Sequence, residues 1–429
     1  METVELLTLA ILLLMLLAVP IGFAILAACI LVLVAGGGIN LMIVPQQLFG
    51  GIDSFSLLAI PFFLLAGSLM TGGGMTERLL DFANALLGRL RGGLAMSSIF
   101  AATLFAGISG SAVADTSALG RILIPAMIKE GYDPPFASAV VASGNVIAPI
   151  IPPSIAFIVI GVLTNQSITR LFLAGVLPGL VYSIAMLVIT WWVSRARNYP
   201  VHGRASASEI WLGFQRAFFA LMMPVFVVLG IRTGIFNVTE CSAVAVVYSL
   251  IVGTLIYRQI DLKVFIDCLT SSARTTAVIM LIIGAARLFS WILAYFDVPQ
   301  QVADFILATS QNPLVFLIFV NLLLLIVGMF MEANAALVML LPVLFPISNQ
   351  LGIDPIHFSV VVALNLCIGL ITPPVGLCLN LTCLMARVSL ESGTRAVFPF
   401  LGFALLVLAL LTFVPGLAVW FPNLVMGTG

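Results

Sequence analysis

Long runs of apolar residues constrain this chain more than any other feature. Residues 4–36 form one such run, and further runs cover 54–71, 170–194 and 396–421. A helix rises ~1.5 Å per residue, so about 20 apolar residues cross the ~30 Å hydrocarbon core of a bilayer. Of the 429 residues, 62% are hydrophobic and only 8% are charged, a balance foreign to soluble globular domains. The runs are continuous rather than alternating, so the sequence predicts an all-α polytopic membrane protein and not a barrel.

The first apolar run is too long for a single straight span. Pro20 lies near the middle of residues 4–36 and disfavours an uninterrupted helix there. We therefore expect two short helices, about 4–18 and 20–36, with one kinked helix as the alternative.

Several other segments are too polar or too mixed to span. Residues 39–53 are predicted to be a loop or an interfacial segment. Residues 75–92 interleave charged and apolar side chains, which predicts an amphipathic helix in the membrane interface. In the second half we expect a mixed stretch at 258–275, a span at 276–296 and a polar segment at 297–312.

A run of small and polar residues, Gly107–Ser117, lies inside one apolar segment and carries the carboxylate of Asp115. Such a run must be buried in protein or line a wet cavity, because lipid offers no hydrogen-bond partners. The arms beside it, 94–106 and 118–130, are only ~20 Å long as helices. They are too short to span, which predicts a hairpin over 94–130 that enters and leaves the membrane on one side.

The next apolar segment, 135–164, is interrupted by Asn145, Pro149 and the pair Pro152–Pro153. Proline lacks a backbone N–H and disfavours helix at the residue before it. The sequence therefore predicts a broken helix over 135–164 with an unwound middle.

The second half repeats these features at a shift of 221 residues. Gly107 then falls on Gly328, and the pair Pro152–Pro153 falls on Pro373–Pro374. A Gly-x-Asp-Pro turn also recurs between the hairpin and the broken helix. Helix packing alone does not require the same breaks twice, so the pattern favours a duplicated fold.

This repeat divides the chain into two halves, each with about five transmembrane helices and a hairpin that does not cross. The first repeat covers 1–194 and the second covers 212–429, with a hairpin at 313–350 and a broken helix at 356–386. Residues 195–211 form the linker. An odd number of crossings in each half places the second half upside down relative to the first.

The distribution of basic residues gives the orientation. The linker is rich in arginine, whereas both ends of the chain lack lysine and arginine. The positive-inside rule therefore places the linker in the cytoplasm and both termini outside. Inverted repeats with broken helices at the midplane are typical of secondary transporters.

Hairpin tips and unwound helix centres supply the candidate site. Their freed carbonyls, with Ser and Thr hydroxyls, are oxygen ligands suited to Na⁺, while helix N-termini favour an anion. We predict two cation sites with a substrate between them. The candidate cation ligands are Gly107, Ser109, Asn145, Ala148, Ile151 and Pro153 in the first half and Gly328, Gly369, Thr372 and Val375 in the second. The candidate substrate contacts are Ser109, Ser111, Ser154 and Glu332.

Structural interpretations compete at some of these positions. The small residues near Gly107 also suit close helix packing. Asp115 is interpreted as the N-cap of the second hairpin arm rather than a direct ligand. In the second hairpin, Asn334 is an alternative cap for the arm that follows Glu332.

The remaining chemistry-bearing residues have structural explanations. The six cysteines lack paired spacing and are expected to be small buried hydrophobes. Two histidines are too few to suggest a His-based metal site. Arg121 and Arg287 are expected to be interfacial or paired, with attraction of an anionic substrate as the alternative.

Four motifs connect the chain to a known family. They are Phe55–Gly67 (FSLLAIPFFLLAG), Ser109–Asp115 (SGSAVAD), Ala148–Ser154 (APIIPPS) and Ile371–Gly376 (ITPPVG). These motifs resemble the large membrane subunit of tripartite ATP-independent periplasmic (TRAP) transporters, the DctM-like family. The resemblance covers essentially the whole chain.

The resemblance implies Na⁺-driven uptake of an organic acid, such as a dicarboxylate, a sugar acid or sialic acid. It also implies an elevator-type motion of a transport domain against a scaffold. The implied location is the bacterial inner membrane. The implied partners are a small four-helix membrane subunit and a soluble periplasmic substrate-binding protein.

Two positions depart from the family pattern. The family often has Asp after Met at the second hairpin tip, whereas this chain has Met331–Glu332, so the substrate geometry is expected to differ. The family often has Thr-Pro-Thr-Glu before the second helix of the second half. Here Asn237–Glu240 reads NVTE, which predicts a looser turn.

Two other functions remain as alternatives. One is a stand-alone Na⁺/anion symporter of the same inverted-repeat type. The other is an intramembrane aspartyl protease, which needs two facing carboxylates. Asp115 and Glu332 are the only plausible pair, and they do not correspond under the repeat. The chain is therefore expected to be a transporter and not an enzyme.

Overall fold

The computed structural model describes residues 2–36, 39–201, 206–309 and 311–427. All regular secondary structure in these ranges is helical. No strand occurs within these ranges. Eight of the described helices are long and apolar enough to cross a membrane: Phe55–Gly72, Ile168–Ala196, Ala207–Arg232, Val238–Ile256, Leu262–Tyr295, Pro313–Phe330, Ala333–Gln350 and Leu390–Phe413. The prediction of an all-α polytopic membrane protein is confirmed.

The first half contains ten helices among the described residues. They are α1 (Glu2–Leu16), α2 (Ile21–Gly36), α3 (Ile43–Ile52), α4 (Ala59–Gly72), α5 (Met75–Leu87), α6 (Gly93–Ser109), α7 (Ala112–Lys129), α8 (Pro134–Asn145), α9 (Ile155–Thr164) and α10 (Ile168–Ala196). A 3-10 turn, Phe55–Leu58, leads into α4. Pro20 directly precedes α2, so the expected pair of short N-terminal helices is confirmed.

The described part of the second half also contains ten helices. They are α11 (Ala207–Arg232), α12 (Val238–Ile251), α13 (Leu262–Tyr295), α14 (Val298–Thr309), α15 (Pro313–Phe330), α16 (Ala333–Gln350), α17 (Pro355–Gly369), α18 (Leu377–Ala386), α19 (Leu390–Phe413) and α20 (Gly416–Met426). A π-helical turn, Val252–Ile256, extends α12.

The predicted linker is shorter than expected. Helix α10 runs to Ala196, and α11 begins at Ala207, so both enter the range 195–211. Ser206 and Glu209 form a reciprocal capping box that fixes the start of α11. The linker residues 202–205 lie outside the described residues.

The segment predicted to be a loop or an interfacial segment, 39–53, and the segment predicted only to be polar, 297–312, both contain a helix. Helix α3 lies within 39–53, and Pro45 is in its first turn, where proline removes no helical hydrogen bond. Helix α14 occupies most of 297–312. Their polar residues interrupt the apolar pattern of the sequence, but a short helix accommodates them on largely exposed positions.

Helix α13 is a single helix of 34 residues, and the predicted boundary between a mixed stretch and a span near residue 275 is wrong. The side chain of Asp261 caps its start by accepting a hydrogen bond of 2.7 Å from the Val264 N–H. No proline interrupts Leu262–Tyr295, so nothing in the sequence stops the helix. The last apolar run, 396–421, is instead divided at Val414 and Pro415, between α19 and α20.

The hairpin and broken-helix segments have matching bounds in the two halves. Helices α7 and α16 each have 18 residues and begin 221 residues apart, as do the starts of α8 and α17. The pairs Pro152–Pro153 and Pro373–Pro374 both contain a cis peptide bond. Gly131 and Gly352 occupy the turns before α8 and α17, both with positive φ.

Helix packing separates two groups. The scaffold group consists of α1–α4 and α11–α13, in which α13 packs on α2, α3 and α4, and α12 packs on α4. The hairpin group consists of α6–α10 and α15–α20. Helix α5 packs on both α11 and α6, and α14 packs on both α13 and α16, so these two helices bridge the groups. Within the hairpin group, α7 packs on α18 and α16 packs on α9, which interlocks the two halves.

Candidate transport site

The first hairpin tip touches the first broken helix. Helix α6 ends at Ser109, and Gly110 turns the chain with φ of +65°. A Cβ on Gly110 would lie 2.7 Å from the Pro153 carbonyl oxygen. Only glycine combines this left-handed conformation with so close an approach. Ser111 then caps α7 by accepting a hydrogen bond from the Ala114 N–H.

The break between α8 and α9 leaves several oxygen atoms without hydrogen bonds. Among the described residues, no donor reaches the carbonyl oxygens of Ala148, Ile151 and Pro153. The Asn145 Nδ2 donates to the Val141 carbonyl at 2.8 Å, but its buried Oδ1 has no partner. Buried polar atoms normally have partners, so an oxygen-rich break with none suits a small cation. The Gly107 carbonyl, in the last turn of α6, is likewise free of donors within the described chain.

The predicted substrate contacts of the first half differ in whether their hydroxyl groups are free to bind a substrate. Ser154 is fully buried, and its hydroxyl donates to the Pro149 carbonyl at 2.5 Å and accepts from the Phe157 N–H at 3.1 Å. Ser154 therefore holds the start of α9. The Ser109 Oγ accepts from the Ser111 N–H at 3.3 Å and retains its own proton. The hydroxyls of Ser109 and Ser111 are partly exposed at the tip.

The second hairpin tip is organised by Glu332. Its carboxylate caps α16, accepting from the N–H groups of Asn334 at 3.0 Å and Ala335 at 3.2 Å. The Asn334 Nδ2 donates to the same carboxylate at 2.8 Å. The alternative assignment of the cap to Asn334 is therefore wrong, because the longer Glu side chain reaches both N–H groups. Glu332 is predicted as a substrate contact, and its capping role fixes where the carboxylate can lie.

The second hairpin packs on the second break through two glycines. A Cβ on Gly369 would lie 2.6 Å from the backbone of Gly328, so the two backbones are in direct contact. The Gly376 N–H donates to the Met329 carbonyl at 3.2 Å, which joins the end of the break to the tip. The Thr372 hydroxyl donates to the Ile368 carbonyl at 2.9 Å and so presents its lone pairs outward. Val375 is partly exposed in the same break.

Asp115 is not the helix cap that the sequence suggested. Ser111 takes that position, and Asp115 lies in the first turn of α7, where it cannot reach the free N–H groups in the same way. The carboxylate is completely buried, and neither oxygen has a hydrogen bond of normal geometry within the described chain, although the Ser109 hydroxyl lies close enough to interact with it. A buried carboxylate without partners is costly, so Asp115 joins Ser109 as a candidate functional group.

A cavity of about 430 Å³ connects this carboxylate to the scaffold group. Ser109 and Asp115 line it from the hairpin, and its scaffold wall includes polar residues that sequence analysis did not assign to the site: Ser68, Thr71, Asp267 and Ser271. The sequence feature that could have identified these residues is the presence of hydroxyl and carboxylate groups within the otherwise apolar helices α4 and α13. The hydropathy of these segments predicts the length of the spans but does not show which face of each helix is polar.

Two further expectations have clear outcomes. The turn at Asn237–Glu240 is not loose, because the Asn237 Oδ1 accepts from the Glu240 N–H at 2.8 Å and the Glu240 carboxylate accepts from the Asn237 N–H at 2.9 Å. This capping box replaces the rigidity that proline gives in the family pattern. All six cysteines are free and buried, as expected.

An all-helical fold with two hairpin tips resting on two broken helices is the architecture of a membrane transporter. The family model of the "Tripartite ATP-independent periplasmic transporter, DctM component" matches residues 8–417. The chain belongs to this family. It is 41% identical to the sialic acid TRAP transporter large permease protein SiaM of Vibrio cholerae, over 96% of each chain.

Other comparisons agree with this assignment. The chain is 40% identical to the C4-dicarboxylate TRAP transporter large permease protein DctM of Pseudomonas aeruginosa, over 88% of each chain. The crystal structure of the YdaH transporter of Alcanivorax borkumensis superposes with a TM-score of 0.63 over 89% of this chain and 90% of that one, at 17% identity. That likeness supports the fold alone.

Family membership decides between the two classes of function. The relatives are large permease subunits, which are transporters rather than enzymes. The expectation that the chain is not an enzyme is confirmed, and the intramembrane protease hypothesis is removed.

Proposed function

We propose that this chain is the large permease subunit of a TRAP transporter that takes up an organic acid by Na⁺-coupled, elevator-type transport across the bacterial inner membrane. The observation that carries the proposal is the pair of hairpin tips, each resting on a broken helix. Broken helices that meet at one place supply both unpaired carbonyls for a cation and helix N-termini for an anion.

Na⁺ coupling is supported by the oxygen atoms that have no protein donor. In the first half these are the Asn145 Oδ1 and the carbonyls of Gly107, Ala148, Ile151 and Pro153, with the Ser109 hydroxyl beside them. In the second half the candidates are Gly328, Gly369, Thr372 and Val375, although the Gly369 carbonyl already accepts the Thr372 N–H at 3.0 Å. Such neutral oxygen donors suit a hard monovalent ion that must bind and leave in each cycle.

An organic acid as substrate is supported by two relatives whose names specify sialic acid and C4-dicarboxylates. Both substrates are carboxylates but differ in the rest of the molecule, so the class is proposed here and not the compound. The proposed contacts are Ser109, Ser111 and Glu332. The fourth predicted contact, Ser154, has its hydroxyl engaged at the start of α9 and would act by positioning that helix. The N-terminal ends of α7, α9 and α16 provide favourable dipoles for an anion at the hairpin tips.

The proposed arrangement in the membrane follows the charge pattern and the helix groups. The two halves are inverted repeats, with the linker between α10 and α11 in the cytoplasm. The hairpin group moves as the elevator against the scaffold group. The proposed partners are a small four-helix membrane subunit, which the word "large" in the relatives' names suggests, and a soluble periplasmic substrate-binding protein.

The test is uptake in reconstituted vesicles. The chain, with its small subunit and binding protein, is reconstituted and supplied with a panel of organic acids under a Na⁺ gradient. Accumulation that requires Na⁺ and the binding protein is the expected result. Uptake that is unchanged when Na⁺ is replaced by K⁺ would contradict Na⁺ coupling.

The assigned cation ligands are tested by removing single hydroxyls. Ser109→Ala and Thr372→Ala are expected to raise the Na⁺ concentration for half-maximal uptake. Thr233→Ala is the matched control, because the Thr233 hydroxyl also donates to the carbonyl four residues earlier but lies at the exposed end of α11. Unchanged Na⁺ dependence in both site variants would remove these residues from the cation sites.

A further inference from the structure

A second polar cavity, of about 610 Å³, lies apart from the hairpin tips. Its scaffold wall is formed by the segment before α4, the start of α12 and the middle of α13. Its opposite wall is formed by the end of α9 and the loop that leads into α10. The polar side chains on these walls include Ser56, Asn165, Gln166, Thr169, Thr239 and Arg287.

Arg287 gives this cavity a positive charge that nothing in its lining balances. It is the only charged residue of the lining, and no acidic side chain lies among the described lining residues. In the part of the chain that the structure describes, Arg287 has neither an ion pair nor a hydrogen bond. Arg287 is expected to be interfacial or paired; no pairing partner occurs among the described residues, and its side chain is exposed.

Local packing fixes the position of Arg287. Gly51 of α3 lies against its stem, and a Cβ on Gly51 would be 2.7 Å from the Arg287 Cβ. Gly284 lies in the preceding turn of α13, and a Cβ there would lie 3.2 Å from the Leu48 carbonyl oxygen. Close packing of α3 on α13 therefore fixes the stem of Arg287, which is one of the residues that line the cavity.

Two helices also begin at this cavity. Ser167, the N-cap of α10, and Asn237, the N-cap of α12, both belong to its lining. Each N-terminus presents partial positive charge and N–H groups, which favour an anion. Glu240 lies in the first turn of α12, but its carboxylate accepts the Asn237 N–H and is not part of the lining.

The cavity is connected to the transport site by a single helix. Helix α9 starts after Ser154, at the first break, and Gly161 and Val162 of the same helix line the cavity. This places the cavity about 10 Å along the helix axis from the break. The cavity also lies at the opposite end of α10 from the inter-repeat linker.

We propose that this cavity is a binding site for a small carboxylate anion, held by Arg287 and the N-termini of α10 and α12. It is a receiving site on the outer face, distinct from the contacts at the hairpin tips. The assignment of this face as the outer one rests on the proposed function, whereas anion binding at Arg287 does not. The ligand class follows from an unpaired guanidinium surrounded by hydroxyl and amide groups with no acid.

The test measures the local charge without requiring transport. Ser56→Cys is introduced into the full-length protein, whose six native cysteines are buried. Its modification rate is measured in vesicles with the anionic reagent 2-sulfonatoethyl methanethiosulfonate and with the cationic trimethylammonium-ethyl analogue. Arg287→Gln is expected to lower the ratio of anionic to cationic rates roughly fivefold, with a larger decrease for Arg287→Glu.

Two controls separate charge from structure. Arg287→Lys keeps the charge and is expected to retain most of the ratio. Arg232→Glu makes the same charge change at the exposed end of α11, on the same side of the fold as the start of α12, and is expected to leave the ratio unchanged. Equal ratios in the Arg287→Gln variant and its parent, with both proteins monodisperse, would overturn the proposal.

Carboxylate binding itself is tested by protection. Succinate and N-acetylneuraminate are added as carboxylate probes, and neutral mannitol is added as the control. At least one carboxylate is expected to slow modification of Ser56→Cys in the parent but not in the Arg287→Gln variant. Failure of both probes to protect would leave an electropositive cavity without the proposed site, and would overturn it. Absence of Na⁺-driven uptake, by contrast, would contradict only the proposed function.

Discussion

Glu332 combines two roles whose separate effects can be measured. Its carboxylate caps α16 and also lies at the tip that is proposed to meet substrate. Glu332→Ala removes the cap and is expected to destabilise the protein by about 1 kcal/mol. Glu332→Gln keeps an acceptor oxygen for the same N–H groups and is expected to retain most of that stability. Thermal unfolding of the purified protein measures both variants.

Uptake by the same two variants then isolates the charge. If the carboxylate contacts the substrate or its cation, both variants should transport poorly, although only the alanine variant is less stable. Normal uptake by Glu332→Gln would mean that the residue is only a cap.

Sequence reasoning identified the right hairpin tips but misassigned their caps. Ser111 and Asp115 are both good N-cap residues, as are Glu332 and Asn334 to different degrees, and sequence does not show which side chain reaches the free N–H groups. The outcome depends on the residue at which each helix starts, and the alternative caps are four positions apart in α7 and two apart in α16. Asp115, which was predicted to be a helix cap, is instead a buried carboxylate whose oxygens have no hydrogen-bond partner among the described residues.

At the scale of helices, the contact between Gly328 and Gly369 sets how the second hairpin rests on its break. Gly369→Ala would place a Cβ 2.6 Å from the Gly328 backbone, which must move. Forced displacement of this kind usually costs about 1–3 kcal/mol, so we expect a lower unfolding temperature and loss of uptake.

Gly402→Ala is the matched control, because a Cβ there meets nothing within 4 Å in helix α19. That change should stabilise the protein by up to about 1 kcal/mol; a similar loss in both variants would contradict the argument.

The turn between α7 and α8 is tied to the segment that follows α10. The Tyr199 hydroxyl donates to Asp133 at 2.6 Å, and Arg197 forms an ion pair with the same carboxylate at 2.9 Å. Burial and the hydrogen bond to Asp133 raise the pKa of Tyr199 above its usual value. The resulting stability is fully present below the ordinary tyrosine pKa of about 10. It is lost as the pH rises through the higher pKa of the folded state.

Tyr199→Phe tests this connection. The variant loses the hydrogen bond and is expected to be about 1 kcal/mol less stable at neutral pH. Its stability should also fall less steeply than that of the parent above pH ~10. The measurement is unfolding temperature against pH, and parallel curves for the two proteins would show that Tyr199 does not contribute to the alkaline decline.

The sequence predicted the helix positions correctly where a residue that interrupts helices, such as proline, marks the end of a helix. Proline pairs located both broken helices, and Pro20 separated α1 from α2. The predicted helix boundary was wrong in α13, where polar residues lie on a continuous helix. In a membrane protein, polar residues mark either the end of a helix or a helix face that lines a cavity. Asp267 and Ser271 belong to the second kind, and only tertiary structure shows which cavity they line.

For the whole molecule, two helix groups meet along a limited set of contacts. Two cavities lie between residues of the two groups, one beside Asp115 at the first hairpin tip and one beside Arg287. The sequence predicted the repeat that builds the hairpin group, but not which helices would form the scaffold. That division depends on long-range packing, in which α4 packs more extensively on α12 and α13 than on its neighbours in sequence.

Elevator motion requires the contact between these groups to break during transport. Gly67 of α4 lies against the first hairpin tip, and a Cβ on Gly67 would be 3.3 Å from the Ser109 Cα. Cysteines at Gly67 and Ser109 are therefore close enough to form a disulfide. Because Ser109 is itself a proposed ligand, the reference is the Ser109→Cys single variant. Oxidation of the double variant is expected to abolish uptake, and reduction of the same sample should return it to the level of that single variant. The control is a cysteine pair at Thr103 and Ser183, which join α6 to α10 inside the hairpin group. That pair should transport equally well when oxidised, whereas transport by the oxidised Gly67–Ser109 pair would exclude motion of the hairpin past α4.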